Sequence, residues 1–155
     1  MIPKIPFGKT GHLSTRTIFG AAALMAMKQE KADQVLETAD HISHLDEDLA
    51  AVLRWSTQIT HLPPEEALFE IGTSSDAIET VPAAIYCFLK HPRSFSGAVF
   101  PAVNAGDATD SIGALAGSFV GALAGVQAVD KHLLRSVENS ELLIGIGESL
   151  AAFIS

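Results

Sequence analysis

Ser111-Ile112-Gly113-Ala114-Leu115-Ala116-Gly117-Ser118-Phe119-Val120-Gly121-Ala122-Leu123-Ala124-Gly125 opens an uncharged run that continues to Val129. Glycine returns at every fourth position: Gly113, Gly117, Gly121 and Gly125. That step places all four on one helical face, where the missing side chains let a neighbouring backbone come close. At nineteen residues, Ser111 to Val129 has about the length of a membrane span. Its composition argues against one. The run is rich in Gly, Ala and Ser rather than Leu and Ile, and it starts directly after Asp107 and Asp110 with no basic anchor. It reads as a buried central helix in an all-helical domain, with no membrane partner.

Upstream the pattern is also helical. From Gln29 to about Thr60, apolar residues such as Ala32, Val35, Leu36, Ala39, Ile42, Leu45, Leu49, Val52 and Leu53 recur at three- and four-residue steps. Ser43 and Asp46 suggest a cap that divides this stretch in two. Pro63-Pro64-Glu65-Glu66 is a helix start, and that helix ends at Gly72. Thr73-Ser74-Ser75 is a loop. A further helix is expected near Pro82, running through Leu89 to His91-Pro92. Ser94 caps the next, which carries Pro101 inside it. Downstream of the glycine run, Leu133–Val137 and Glu141–Phe153 read as amphipathic helices. No strand–helix alternation follows residue 28, so 28–155 is an all-α helical bundle. Residues 1–27 are punctuated by Pro3, Pro6, Gly8 and Gly11 and read as a short hairpin or extended arm leading into a strand.

Composition bounds the function. The chain has 155 residues, 48% of them hydrophobic and 18% charged, which excludes a disordered polyelectrolyte. One cysteine, Cys87, excludes a disulfide framework and a cysteine-rich zinc module. A net charge of −8 argues against a nucleic-acid partner, which needs a basic surface. Charge is segregated: residues 1–27 carry +3 and residues 28–155 carry −11. No apolar segment follows the N-terminal basic residues, so a cytoplasmic location is expected. Gly8-Lys9-Thr10 is not a phosphate-binding loop, because the glycine needed five positions earlier is Pro3.

Two stretches resemble known families. Ile2-Pro3-Lys4-Ile5-Pro6-Phe7-Gly8-Lys9-Thr10-Gly11-His12-Leu13 followed by Ser14-Thr15-Arg16-Thr17-Ile18-Phe19-Gly20-Ala21-Ala22-Ala23-Leu24 is similar to the start of an aldo/keto reductase. There the stretch forms the N-terminal hairpin and first barrel strand. That family's catalytic Asp and Tyr have no counterparts here, and the chain is too short for an eight-stranded barrel. Residues 1–27 are therefore set apart as a reductase-like segment, and the whole suggests a chimera.

The second resemblance covers about residues 62–153. Gly72-Thr73-Ser74-Ser75, then Glu79-Thr80-Val81-Pro82-Ala83-Ala84-Ile85-Tyr86-Cys87-Phe88-Leu89, resembles the C-terminal half of the ADP-ribosylglycohydrolases. So do Ala98-Val99, Ala102-Val103-Asn104-Ala105-Gly106 and Thr109-Asp110-Ser111-Ile112-Gly113. The resemblance implies an all-α fold, magnesium as cofactor, and hydrolysis of the glycosidic bond joining ADP-ribose to a protein side chain or small acceptor. It places Asp110 and Ser111 on metal-ligand positions. Ala108 stands where the family has a ligand aspartate, and Asp107 stands one place early, where the family has glycine. One helical residue turns a side chain by ~100°. The family's Thr-Asp-Asp ligand motif is missing. Thr73, Ser74 and Ser75 match the loop that meets the ribose or phosphates of ADP-ribose.

Other groups weigh less. His41, His44 and Asp48 have a spacing that suits a transition metal, but also that of a solvated helix face. Asp46-Glu47-Asp48 is most simply first-turn acid. Cys87, in an apolar helix, is expected to be buried and inert. The functional expectation is an ADP-ribosylglycohydrolase-like protein with magnesium at Asp107, Asp110 and Ser111, its activity impaired by the missing half of the metal set. The alternative is a non-catalytic helical scaffold. Either way the missing helices leave apolar surface, so a homo-oligomer is expected.

Overall fold

Asp46 starts the first complete helix: its carboxylate accepts the Leu49 N–H at 2.9 Å, and Glu47 and Asp48 fill the first turn. A computed structural model describes residues 36, 37, 39, 40, 43, 44 and 46–154. Helical residues at 36, 37, 39 and 40 precede a turn at Ser43 and His44. The division expected there is present. Its cap is Asp46, while the Ser43 hydroxyl donates back to the Asp40 carbonyl.

Seven α-helices follow among the described residues: α1 Glu47–Gln58, α2 Pro64–Ile71, α3 Ala77–Lys90, α4 Phe95–Val103, α5 Thr109–Ala124, α6 Lys131–Ser136 and α7 Ser140–Ile154. Short 3₁₀ turns lie at Ile59–His61 and Val126–Ala128. The fold is an all-α bundle, as the periodicity required. The hairpin, the strand, the reductase-like stretch and the division at residue 28 lie outside the described residues.

The most deeply buried helix is α3 rather than the glycine-rich α5. Every residue from Thr80 to Phe88 is buried, the mark of a helix covered on all sides. Helices α1, α2, α4 and α5 all pack against it. Pro82 occupies the sixth position of α3 and costs it one hydrogen bond, to the Ile78 carbonyl. The C-terminal half of α3 clamps the chain before α2. Tyr86 donates to the Leu62 carbonyl at 2.8 Å, and Lys90 Nζ donates to Thr60 and Leu62 carbonyls at 2.9 and 2.8 Å. Burial pushes the Tyr86 phenol up to about 12, with smaller contributions from Cys87 and Glu65. Burial likewise pushes the Cys87 thiol up to about 12, so it is protonated and inert at neutral pH, as expected.

Helix α5 buries Ile112, Gly113, Ala116, Phe119 and Val120 and leaves Ala114, Ser118 and Ala122 exposed. Its sixteen residues are fewer than the uncharged run. No helix among the described residues is long and apolar enough to cross a membrane. The first half of the glycine stripe finds its partner within the chain. A Cβ on Gly113 would lie 2.7 Å from Val103, and one on Gly117 would lie 3.1 Å from Phe95. Both contacts come from α4, so α4 and α5 lie close together. Gly121 meets nothing, and Gly125 ends the helix with φ +74°.

Candidate functional site

The turn from α4 into α5 uses two successive residues with positive φ. Gly106 has φ +88° and Asp107 φ +58°. The second is a conformation that suits glycine and that aspartate tolerates better than most residues. Position 107 is also where the resembled family carries glycine, so the backbone keeps a glycine-type shape under an aspartate side chain. Ala108 follows with φ −78° and ψ 45°, and the Thr109 N–H donates to the Asp107 carbonyl at 2.9 Å, closing an inverse γ-turn. Helix α5 starts at Thr109.

No side chain caps that start: the N-cap residue is Ala108. Asp107, Asp110 and Ser111 are all exposed. Their side-chain oxygens have no hydrogen-bond partner among the described residues, so these acids do not serve as caps.

The second expected element lies against this turn. The Ala108 N–H donates to the Thr73 carbonyl at 2.9 Å. One backbone hydrogen bond thus joins the Thr73–Ser75 loop to the acidic turn, across more than thirty residues of sequence. Thr73 and Ser74 are half-buried, and Ser75 is exposed.

The loop is held by two residues that sequence reasoning did not single out for a role. The Glu79 carboxylate accepts the Ser74 N–H at 2.9 Å. The Thr80 hydroxyl donates to the Ser74 carbonyl at 2.7 Å. Gly72, with φ +89°, is overlaid by the Glu79 side chain so closely that a Cβ would collide with its carboxylate. The Ser74 hydroxyl accepts the Asp76 N–H at 3.3 Å. The available signal was the Asp76-to-Glu79 spacing of a capping box, whose acid normally turns back to the cap's own N–H. Here it reaches two residues further.

The site's oxygens suit a hard cation. Two exposed carboxylates and a hydroxyl, none hydrogen-bonded among the described residues, are donors that magnesium accepts. It commonly takes one or two carboxylates and completes its shell with water and phosphate oxygens. They do not make a closed cage, because no group of three or more His, Cys, Asp or Glu among the described residues could hold a metal. Among the described residues His44 and Asp48 belong to no such group, and His41, their expected partner, lies outside those residues.

A family model for ADP-ribosylglycohydrolase matches residues 10–154. The chain belongs to the ADP-ribosylglycohydrolase family. Among its relatives, the ADP-ribosylhydrolase ARH3 of Mus musculus is 33% identical over 96 residues, covering 56% of this chain and 26% of that protein. The ARH3 of Homo sapiens is 32% identical over 96 residues, with the same coverage. An uncharacterized protein of Archaeoglobus fulgidus is 28% identical over 141 residues, covering 85% of this chain and 44% of the other. This ADP-ribosylglycohydrolase chain therefore spans less than half the length of these curated relatives. No solved structure matches it.

Proposed function

We propose that this chain carries one side of an ADP-ribosylglycohydrolase site, binding ADP-ribose linkages with magnesium and hydrolysing them weakly if at all. The observation that carries this reading is the Ala108–Thr73 hydrogen bond, which sets the expected nucleotide loop directly beside the expected metal turn. Asp110 and Ser111 would hold magnesium, with Asp107 as an additional carboxylate. Thr73, Ser74 and Ser75 would meet the ribose or phosphates. Magnesium, when bound, supplies a Lewis acid that polarises a ribose hydroxyl and neutralises pyrophosphate charge. The chain's own contribution is to present exposed oxygens and hold the loop at a set distance from them. Impairment would follow from Ala108, which has no oxygen where the resembled family has a ligand aspartate.

The test is thermal. ADP-ribose with magnesium, at 100 times the dissociation constant, should stabilise the fold by ~2.7 kcal/mol and raise its melting temperature. Absence of any shift at millimolar ligand overturns the reading.

A second reading, a self-associating scaffold, is favoured by α7. Leu142, Leu143, Ile146 and Leu150 on this helix are 62, 55, 51 and 60% exposed. Among the described residues α7 packs mainly against the short α6. Apolar surface of this kind is costly on a monomer, and a second copy of the chain would cover it. Light scattering at tens of micromolar should then show a dimer or larger. A clean monomer would remove the scaffold reading and leave the ADP-ribose reading intact.

A further inference from the structure

We propose that Glu79 is a positioning residue that makes the two halves of the site act as one, so that nucleotide contacts at the loop and magnesium contacts at the turn are gained or lost together. This rests on the ADP-ribose reading above, and it adds a residue and a coupling which that reading does not contain.

The chain of contacts is short. Glu79 sits in the first turn of α3, which is buried from Thr80 to Phe88, so its backbone is fixed by the core. Its carboxylate accepts the Ser74 N–H and covers Gly72. Thr80, one residue on, takes the Ser74 carbonyl as its acceptor. Ser74 is thus gripped at both its N–H and its carbonyl by consecutive residues of one rigid helix. The residue before it, Thr73, offers its carbonyl to the Ala108 N–H. Ala108 lies between Asp107 and the start of α5, which carries Asp110 and Ser111. A shift of Ser74 must therefore move the Thr73 carbonyl and loosen the turn that holds the acids. Coupling between sites is reciprocal, so whatever strengthens one half strengthens the other by the same factor.

An acceptor oxygen is what this role needs, and a charge is not. Glu79→Gln keeps an acceptor for the Ser74 N–H, and Glu79→Ala removes it. Two readouts on the full chain decide the matter. The first is hydrogen exchange at the Ala108 amide, with the Ala98 amide, bonded to the Ser94 carbonyl, as control. Glu79→Ala should speed exchange at Ala108 by about three- to tenfold, the loss expected when one intramolecular hydrogen bond is removed. Ala98 should be unchanged, and Glu79→Gln should behave as the parent. The second is ADP-ribose affinity with and without magnesium. In the parent and in Glu79→Gln magnesium should tighten ADP-ribose by about fivefold or more, and in Glu79→Ala by little or nothing.

The results separate. Unchanged Ala108 exchange in Glu79→Ala overturns the proposal outright. A Glu79→Gln protein that fails as badly as Glu79→Ala also overturns it, since the carboxylate charge would then act directly on ligand or metal. A parent that binds no ADP-ribose refutes the functional reading, while the exchange result still decides whether Glu79 sets the joint.

Discussion

Asp110→Ala should abolish all magnesium-dependent stabilisation, because it removes the only carboxylate in the family's ligand register. Asp107→Gly with Ala108→Asp should do the opposite and strengthen magnesium binding. The fold sharpens both expectations. The Asp110 side chain accepts no hydrogen bond among the described residues, so without magnesium its loss should cost only the ~0.3–1 kcal/mol of an acid near a helix N-terminus. The double variant should be more stable even without metal. Glycine suits φ +58° at position 107, and aspartate at 108 gives α5 the capping side chain that Ala108 lacks, worth ~0.5–2 kcal/mol. The informative quantity is therefore the difference with and without magnesium, measured by calorimetric titration on the parent and both variants. If the double variant binds magnesium no better than the parent, the turn is not a metal site.

Phe119→Ala should destabilise the fold by ~3–5 kcal/mol, the range for emptying a buried aromatic position. The ring is 1% exposed and meets Phe88 edge-on, with centroids 5.8 Å apart and planes at 64°. This pair joins α5 to α3, and small neighbours such as Ala116 cannot fill the void. Phe69→Ala is the matched control: at 84% exposure it should change stability by less than ~0.5 kcal/mol. Urea unfolding measures both. A Phe119→Ala cost below ~1 kcal/mol would mean that α5 is not packed on α3 as described.

Legibility in the sequence followed the range of the forces involved. Helix ends were readable at several positions where a local group makes them. Pro64 opens α2, Gly72 closes it with positive φ, and the Ser94 hydroxyl accepts the Gly97 N–H. The start of α3 was misplaced by five residues because a proline is expected in the first turn, whereas Pro82 lies in the second. The glycine stripe was readable as a close-packing face, but its partner was not. That partner is α4, which meets Gly113 and Gly117 and not Gly121. The rank of α3 over α5 as the buried helix depends on what surrounds each, which periodicity does not encode. At the site, the candidate residues came from a resemblance. Their meeting comes from a tertiary backbone bond between positions 73 and 108, which has no side-chain signature. Glu79 was missed for a related reason: its acceptor role depends on a fold-back of the loop that spacing alone assigns to another N–H.

The Ala108–Thr73 bond runs from amide to carbonyl, and neither side chain takes part. Any residue but proline at 108, and any residue at 73, can supply the same two atoms. The joint is therefore blind to the mutations that most readily erase chemistry. An aspartate or an alanine at 108 supplies the same N–H, and the juxtaposition of loop and turn is the same with either. In this chain the loop and the turn meet through backbone atoms alone, so a change of side chain at 73 or 108 leaves both bonding atoms in place.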